Sequence, residues 1–405
     1  MKVAKFGGTS MANASAMRRA AELSGADVIG PIAVSAGGRV ANEKKVTDEL
    51  IAAHSSFCRG EGERKIFSSL CSRLSALAEE LRINFNVTDE LMKIGYEESK
   101  SSSPDFLISR GEYLYSKIFA KLTARPFVDC VEIIRFNDSG APDYEFSRYL
   151  VREKYRELGG FVTGGFYGSD PRGKIRLFPR GGGDITGSLL ALGTNADEYL
   201  NFTDVDGVLN FPPSFAARFA EKTSVAEPVS AVVPRPLKKI SFSRMERLCD
   251  FSVNVFHADA LNALKGSGIP VRIKNTFNKY AEGTSITEKS EITEESEGND
   301  EFFFASDKFG TIKNTLSSKK EEVGLYAEFL SQAKNAVGDE DEIFYFSDCD
   351  KSAELTEIMR INLKYPVFKA KEGYIAVVKK GEFLPKVKKI FYRFIIQPSQ
   401  SGGIL

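Results

Sequence analysis

The chain has 405 residues, of which 42% are hydrophobic and 27% are charged, so it is long enough for two or three globular domains. Lysine plus arginine and aspartate plus glutamate both number 55, which gives a formal net charge of zero. This balance argues against a nucleic-acid binder or a protein held on membranes by basic charge. No run of 18 apolar residues occurs and the chain enters fold-like sequence at once, so we expect no transmembrane helix, no signal peptide and a cytoplasmic location.

The cysteines and histidines do not suggest a metal centre. The five cysteines are scattered without a CxxC pair, which is typical of reduced thiols rather than of a disulfide framework or a zinc site. The two histidines, His54 and His257, lie too far apart in sequence to indicate a histidine-based metal site.

The predicted elements alternate between strands and helices. In chain order they are a strand at KVAKF, a helix over residues 13–23, an apolar run at VIGPIAVSA, a helical region over 43–81, a helix over 105–122 and short strands at PFVDC and VEIIRF. A helix at FSRYLVREKYREL, a strand at FVTGGFYG, a strand–loop–helix unit at KIRLF, PRGGGD and ITGSLLALG, and a strand at ADEYLNFTD follow.

This alternation predicts an α/β domain with a mainly parallel sheet over residues 1–286. Residues 287–301 (TEKSEITEESEGNDE) are acidic and almost free of apolar residues, so we expect a linker. Residues 302–405 predict a smaller α+β unit with strands at EIFYF, YIAVV and YRFII and a helix over 321–336. Ligands of parallel sheets bind beyond the carboxyl ends of the strands, where the glycine-rich breaks of this chain fall.

The stretch AKFGGTS is a candidate phosphate site of an unusual kind, because the chain lacks both GxxxxGK[ST] and GxGxxG. Glycines let backbone N–H groups approach phosphate oxygens, and a following helix directs its N-terminus at the same place. Lys5 can neutralise a transferred phosphoryl group, and Thr9 and Ser10 can donate hydrogen bonds. The alternative is an ordinary glycine turn between a strand and a helix.

Three further polar breaks carry charged residues. In FPRGGGDITG, Arg180 has the geometry to bind a carboxylate, and Asp184 either binds an ammonium group or caps a helix. In ISRGEYLYS, Glu112 either belongs to a site or opens a helix, where the dipole favours its charge. The acids of FTDVDG either hold ribose or Mg²⁺-linked waters or form a turn. Together these features suit a kinase that acts on an amino acid.

The order of these motifs resembles that of the aspartate kinases, in the amino acid kinase superfamily. The similar segments are KFGGTS, VSAGG followed by KVTDEL, ISRGE, GGFYGS, FPRGGGD, FTDVDG, MERLCDFSVNVFHADAL and IPVRIKNTFNKYAEGTSI. The resemblance spans about residues 1–286. It implies a three-layer α/β/α catalytic domain, a small C-terminal ACT-like regulatory region, a homodimer, and transfer of the γ-phosphoryl group of ATP to L-aspartate with Mg²⁺, which begins lysine, threonine and methionine biosynthesis.

The resemblance also implies a role for each matching residue. Lys5 would contact the β- and γ-phosphates and Arg180 the substrate α-carboxylate, while Glu112 and Asp184 would face its ammonium group. The remaining residues would border the phosphates (Gly7, Gly8, Thr9 and Ser10), the substrate (Ser35, Ala36, Thr47, Gly181 and Gly182) or the nucleotide (Thr203 and Asp204). No side chain is expected to bind a metal ion directly.

The chain departs from the family pattern at several positions. Gly183 replaces a serine and Phe202 a tryptophan, and VLNFPPSFAARF places Leu209 and Ser214 where the family often has an aromatic residue and an arginine. The C-terminal region is too short for two complete ACT domains, so a lysine or threonine effector is an expectation from the family only. Two alternatives remain open: a non-catalytic protein that binds an amino acid or a nucleotide, and a kinase for another acid such as glutamate.

Overall fold

The computed structural model describes the chain in segments. They are residues 1–26, 28–38, 45–59, 67–98, 103–210, 234–250 and 255–288, with four strands at 304–308, 342–347, 367–370 and 373–378. Contacts divide the chain into two units, one of Met1–Gly207 and Val255–Glu288 and the other of Val208–Asn254 and Lys289–Leu405. The expected domain boundaries, after residues 286 and 301, stay predictions.

The strands fall into the two units as follows. In the first unit they are β1 (Lys2–Phe6), β2 (Ile32–Val34), β3 (Val162–Gly164), β4 (Tyr167–Ser169), β5 (Ile175–Leu177), β6 (Glu198–Thr203), β8 (Val271–Asn275) and β9 (Thr284–Thr287). In the second they are β7 (Lys239–Ser241), β10 (Phe304–Lys308), β11 (Glu342–Ser347), β12 (Val367–Ala370) and β13 (Gly373–Val378).

The helices surround the sheet of the first unit. They are α1 (Ala14–Ala26), α2 (Val46–Cys58), α3 (Ser68–Leu81), α4 (Val87–Glu98), α5 (Pro104–Thr123), α6 (Cys130–Ile133), α7 (Tyr144–Leu158), α8 (Gly182–Thr194) and α10 (Ala258–Leu264), whereas α9 (Phe242–Asp250) belongs to the second unit. None of the described helices combines the length and the apolar character needed to cross a bilayer.

The first unit is built on a mainly parallel sheet. Six of its strands follow the order β3-β2-β1-β6-β8-β9, in which every pair is parallel except β8 with β9. Alternate residues of β1 point to opposite faces: Ala4 and Phe6 join a buried cluster with α1 and α5, whereas Lys5 points towards α8. The Phe6 ring stacks on Phe202 of β6, with ring centroids 4.6 Å apart. The predicted α/β class with a mainly parallel sheet is confirmed.

Local sequence explains where two helices near the site begin. Ser103 caps α5 by accepting a hydrogen bond from the Asp105 N–H, and Pro104 supplies the fixed φ suited to the first turn. Gly181 precedes α8 with a φ of +62°, a left-handed conformation that favours glycine. The predicted helices over 105–122 and at ITGSLLALG are confirmed.

Three sequence-based expectations are wrong in part. PFVDC does not form a strand, because only Phe127 pairs, in an isolated bridge to Val162. VEIIRF does not form a strand, because Asp129 and Glu132 make a capping box that starts the short helix α6. The helical region over 43–81 is divided into α2 and α3, and residues 60–66 between them lie outside the described segments. Helix α4 was not expected.

The second unit contains a separate antiparallel sheet with the order β10-β11-β13-β12. Its strands β11 and β13 confirm the predictions at EIFYF and YIAVV. The predicted strand YRFII, the helix over 321–336 and nearly all of the acidic linker lie outside the described residues.

Candidate active site

Lys5 and Asp184 meet at the carboxyl end of the parallel sheet. Lys5 is the fourth residue of β1, and Asp184 lies in the first turn of α8. The Lys5 Nζ is 2.7 Å from the Asp184 Oδ1, and each side chain is 14% exposed. A charged pair so little exposed needs further hydrogen bonds to balance the loss of hydration.

Asp184 receives those hydrogen bonds from two other segments. The backbone N–H of His257 donates to the Asp184 Oδ2 at 3.1 Å, and the Asn201 Nδ2 donates to its Oδ1 at 3.4 Å. The residue that caps α8 is Gly181, which makes no side-chain cap hydrogen bond. The alternative role of Asp184 as a helix cap is therefore wrong, and its carboxylate is instead held by Lys5, Asn201 and His257.

The first glycine loop packs directly on the second. The Gly38 N–H donates to the Gly8 carbonyl at 2.7 Å, and a Cβ on Gly38 would lie 2.8 Å from the Gly8 carbonyl carbon. A Cβ on Gly8 would lie 3.2 Å from the Ala36 carbonyl oxygen. Only glycine at position 38 permits this approach, so both loops border one space beside Lys5.

The N–H groups of this loop have different partners. The Gly7 N–H donates to the Phe202 carbonyl at 3.1 Å, so it supports the sheet. Within the described part of the chain, the N–H groups of Gly8 and Thr9 have no acceptor. Thr9 is exposed and opens a 3₁₀ turn, Thr9–Met11, that precedes α1. These two N–H groups are the ones available to an anion.

Ser10 does not face this space. Its side chain is fully buried, and its hydroxyl lies 2.7 Å from the hydroxyl of Thr276. The expectation that Ser10 donates a hydrogen bond to a phosphate is therefore wrong, because its side chain connects the first loop to the end of β8.

Glu112 lies in the middle of α5, not at its start. The dipole explanation is therefore wrong, because that effect is confined to the first turn of a helix. The Glu112 side chain is buried, and its Oε2 has no hydrogen-bond partner among the described residues. Burial raises the pKa of this carboxyl to about 7, although the nearby N–H of Ala36 lowers it. A buried acceptor without a donor needs an explanation, which a ligand or a water molecule that supplies the donor would provide.

Small residues bring α5 and the second loop together. A Cβ on Gly111 would lie 3.1 Å from the Ala36 Cβ and 3.2 Å from the Val46 Cγ1. Ala36 therefore lies beside Glu112, and half-buried Thr47 follows Val46 at the start of α2. The structure brings these predicted substrate-site residues together.

The loop before α8 combines buried glycines with an exposed arginine. A Cβ on Gly181 would lie 2.1 Å from the His257 Cγ, and one on Gly182 would lie 2.7 Å from the Phe166 Cα. A Cβ on Gly183 would lie 3.3 Å from the Lys5 Cε and 3.5 Å from the Ser35 Oγ. The loop is thus fixed by close packing, while Arg180 is exposed and has no ion pair within the described segments.

The segment predicted to border the nucleotide, FTDVDG, is hydrogen-bonded to the end of β8. The Thr203 hydroxyl donates to the Asp204 Oδ1 at 3.2 Å, and Asp204 is exposed. The Asp206 Oδ1 accepts from the Asn275 Nδ2 at 2.7 Å and from the Asn278 Nδ2 at 3.1 Å. Residues 211–233, which include Ser214, lie outside the described segments.

Sequence analysis missed three residues of this site. Asn201 and Asn275 are buried polar residues within strands, and His257 had been considered only as a metal ligand. A polar residue that interrupts an apolar strand is the signal that could have identified both asparagines. His257 gave no such signal, because its backbone N–H makes the contact.

The described residues contain no cluster of three or more carboxylate, cysteine or histidine side chains able to hold a metal ion. A magnesium ion that accompanies a nucleotide needs only one or two carboxylates, since phosphate oxygens and waters complete its shell. Asp184 is a carboxylate beside the glycine loops, so the donor set fits such an ion and does not fit an independent metal centre.

Comparison with known proteins agrees with this geometry. A sequence profile described as the amino acid kinase family matches residues 1–275. Aspartokinase 3 of Bacillus subtilis is 30% identical over 310 residues, which are 72% of this chain and 65% of that protein. Lysine-sensitive aspartokinase 3 of Escherichia coli is 27% identical over 306 residues, which are 71% of this chain and 64% of that protein. The chain thus spans less than two thirds of the length of these relatives.

Solved structures share the fold. The aspartate kinase of Clostridium acetobutylicum has a TM-score of 0.74 at 24% identity and covers 96% of this chain and 99% of its own. Escherichia coli aspartokinase III in complex with aspartate and ADP has a TM-score of 0.65 at 18% identity, with 97% and 100% coverage.

Proposed function

The chain belongs to the amino acid kinase family, and from that premise we propose that it is an aspartate kinase. It transfers the γ-phosphoryl group of ATP to the β-carboxylate of L-aspartate and forms 4-phospho-L-aspartate and ADP. The observation that carries this proposal is the Lys5–Asp184 pair at 2.7 Å, set between two glycine loops and close to other predicted substrate residues.

The site residues support an amino acid as the acceptor. The Glu112 Oε2 lacks a donor among the described residues, and the substrate ammonium group would supply one. That positive charge would also favour the charged form of a carboxyl whose pKa burial has raised to about 7. Arg180 is exposed and is the cation we assign to the substrate α-carboxylate.

The relatives support aspartate in particular. Proteins 30% and 27% identical to this chain are named aspartokinases, and a protein of the same fold was solved with aspartate and ADP. The accepting β-carboxylate has an ordinary pKa near ~4 and is ionised at neutral pH, so the reaction needs no general base. The site must instead align two anions and reduce their repulsion.

Each group of the site has a part in that task. The Lys5 ammonium would neutralise the transferred phosphoryl group, and the free N–H groups of Gly8 and Thr9 would bind its oxygens. A magnesium ion bound with ATP would supply further charge neutralisation, and Asp184 is the residue placed to hold one of its waters or the substrate ammonium group. Thr203 and Asp204 would border the nucleotide.

The regulatory part of the proposal is inferred from the relatives. One of them is named lysine-sensitive, and a protein of this fold was solved with lysine and aspartate. We therefore assign the C-terminal sheet to an ACT-like region and propose a homodimer in the cytoplasm, with lysine or threonine as the effector. The reaction would be the first step in the biosynthesis of lysine, threonine and methionine.

A coupled assay for ADP release tests this function. The purified chain, Mg²⁺ and ATP are incubated with aspartate, with glutamate or without an amino acid, and aspartate is then tested with added lysine or threonine. ADP release that depends on aspartate is expected. Release that depends on glutamate would identify a kinase for another acid, and no release with any amino acid would contradict the proposal.

A further inference from the structure

Strand β6 presents two buried polar side chains to α8. Leu200 and Phe202 point into the core with α1 and α5, so the alternate residues Tyr199 and Asn201 point the other way. Asn201 is only 1% exposed. It is the register partner of Lys5 on the neighbouring strand β1, so the two side chains lie next to each other.

Asn201 and Lys5 share one oxygen of Asp184. The Asn201 Nδ2 is 3.4 Å from the Asp184 Oδ1, and the Lys5 Nζ is 2.7 Å from the same atom. The Oδ1 of Asn201 itself has no donor among the described residues. A buried acceptor without a partner destabilises the fold. An apolar residue at position 201 would therefore give a more stable fold than asparagine does.

Tyr199 connects β6 to the backbone of Asp184. Its hydroxyl donates to the Asp184 carbonyl at 3.4 Å, and burial raises the pKa of this phenol well above its usual value. The space for the ring exists because residue 187 is glycine: a Cβ there would lie 2.1 Å from the Tyr199 hydroxyl. The strand therefore contacts both the backbone and the carboxylate of Asp184.

We propose that Asn201 is a positioning residue that holds the Asp184 carboxylate in place when Lys5 turns towards the phosphates of ATP. This inference rests on the proposed function. Without Lys5, the Oδ1 of Asp184 would keep only the Asn201 amide, while its Oδ2 keeps the His257 N–H. A carboxylate whose two oxygens both accept hydrogen bonds keeps its orientation towards the substrate ammonium group or a metal-bound water.

Three variants separate this role from a structural one. Asn201→Leu removes the amide and keeps the branching and the number of heavy atoms, Asn201→Thr keeps one donor in a residue suited to strands, and Ser188→Ala removes a buried hydroxyl that donates to the Ala260 carbonyl. Asn201→Leu should melt no lower than the wild type, yet lose about tenfold to a hundredfold in kcat/KM with aspartate. Asn201→Thr should recover part of that loss, and Ser188→Ala should keep the wild-type turnover.

The outcomes can be told apart. Full turnover by Asn201→Leu, or a loss that appears only with a lower melting temperature, would overturn the role of Asn201 and leave the proposed function intact. An inactive wild type would overturn the proposed function, and a crystal structure of the double variant Lys5→Met/Asn201→Leu, in which neither residue holds the Asp184 Oδ1, then tests the positioning directly. A carboxylate of Asp184 that has turned away from the His257 N–H would support the inference, whereas an unmoved carboxylate would overturn it.

Discussion

At the scale of the residue, the chemistry of the site depends on which charges have partners. Lys5 is paired with Asp184, Arg180 has no ion pair within the described residues, and the buried Glu112 lacks a donor for one oxygen among them. The sequence supplied these residue types and their order. It could not supply the pairing of Lys5 with a carboxylate about 180 positions away, because that contact depends on how the strands assemble.

Replacing Lys5 by methionine tests its role in turnover. Lys5→Met should lower kcat by roughly a hundredfold or more, because one preorganised positive charge at the phosphoryl group is lost. Lys2→Met is the matched control: Lys2 lies on the same strand and pairs with Glu198 at 3.1 Å, but it is 39% exposed. Steady-state kinetics measure both variants, and an unchanged kcat in Lys5→Met would refute the phosphate role.

The raised pKa of Glu112 predicts a pH-dependent stability. This carboxyl has a pKa of about 7 in the folded chain against an ordinary value of 4.5, so between these values the folded state holds one proton more. The free energy of unfolding should therefore fall as the pH rises through this window, by about 3 kcal/mol in total from this group.

Denaturant titrations at pH 5 and pH 8 measure this effect. Glu112→Gln should match the wild type at pH 5, where the carboxyl is neutral, and should exceed it in stability at pH 8, where the buried charge destabilises the wild type. A difference between the two proteins that is the same at both pH values would contradict the assignment.

At the scale of the element, the strand-to-helix turns decide the shape of the site. Composition and spacing predicted β1, α5, α8 and β6 because apolar periodicity and glycine breaks are local signals. The capping box of α6 was missed, since it depends on the residue at which a helix begins, whereas the predicted helix over 105–122 already places Glu112 in its middle. The contact between the two glycine loops is not local and could not be predicted from either loop alone.

Adding a methyl group to the second loop tests that contact. Gly38→Ala places a Cβ 2.8 Å from the Gly8 backbone, so the loops must separate and the KM for ATP should rise at least severalfold. Gly25→Ala is the control, because a Cβ there meets no atom within 4 Å and alanine favours helix α1. Equal KM values for ATP in the two variants would contradict this prediction, because separating the loops would then have no effect on the KM.

At the scale of the whole molecule, the proposed catalytic site and the proposed regulatory region lie in different units. Glu112, Arg180 and Asp184 all belong to the first unit, whereas strands β10 to β13 belong to the second. The parallel sheet was predictable because each strand carries its own apolar run. The grouping of residues 208–254 with the second unit was not predicted, although five prolines fall within residues 212–236.

Amide hydrogen exchange tests where aspartate binds. Saturating aspartate should slow amide exchange in α5 and α8, because a ligand that binds the folded site suppresses local opening there. The segments 342–347 and 373–378 should keep their exchange rates. Slower exchange confined to those two strands, with α5 and α8 unchanged, would place the aspartate site in the second unit.

The pairing of Lys5 with Asp184 also bears on which anions the site accepts. The ammonium group already has a counter-charge at 2.7 Å, so a small anion such as inorganic phosphate must displace a partner before it gains that attraction. A nucleotide brings more contacts and its own cation, and both offset the displacement. Under the proposed function, the Lys5–Asp184 pair would therefore favour ATP over small anions such as inorganic phosphate.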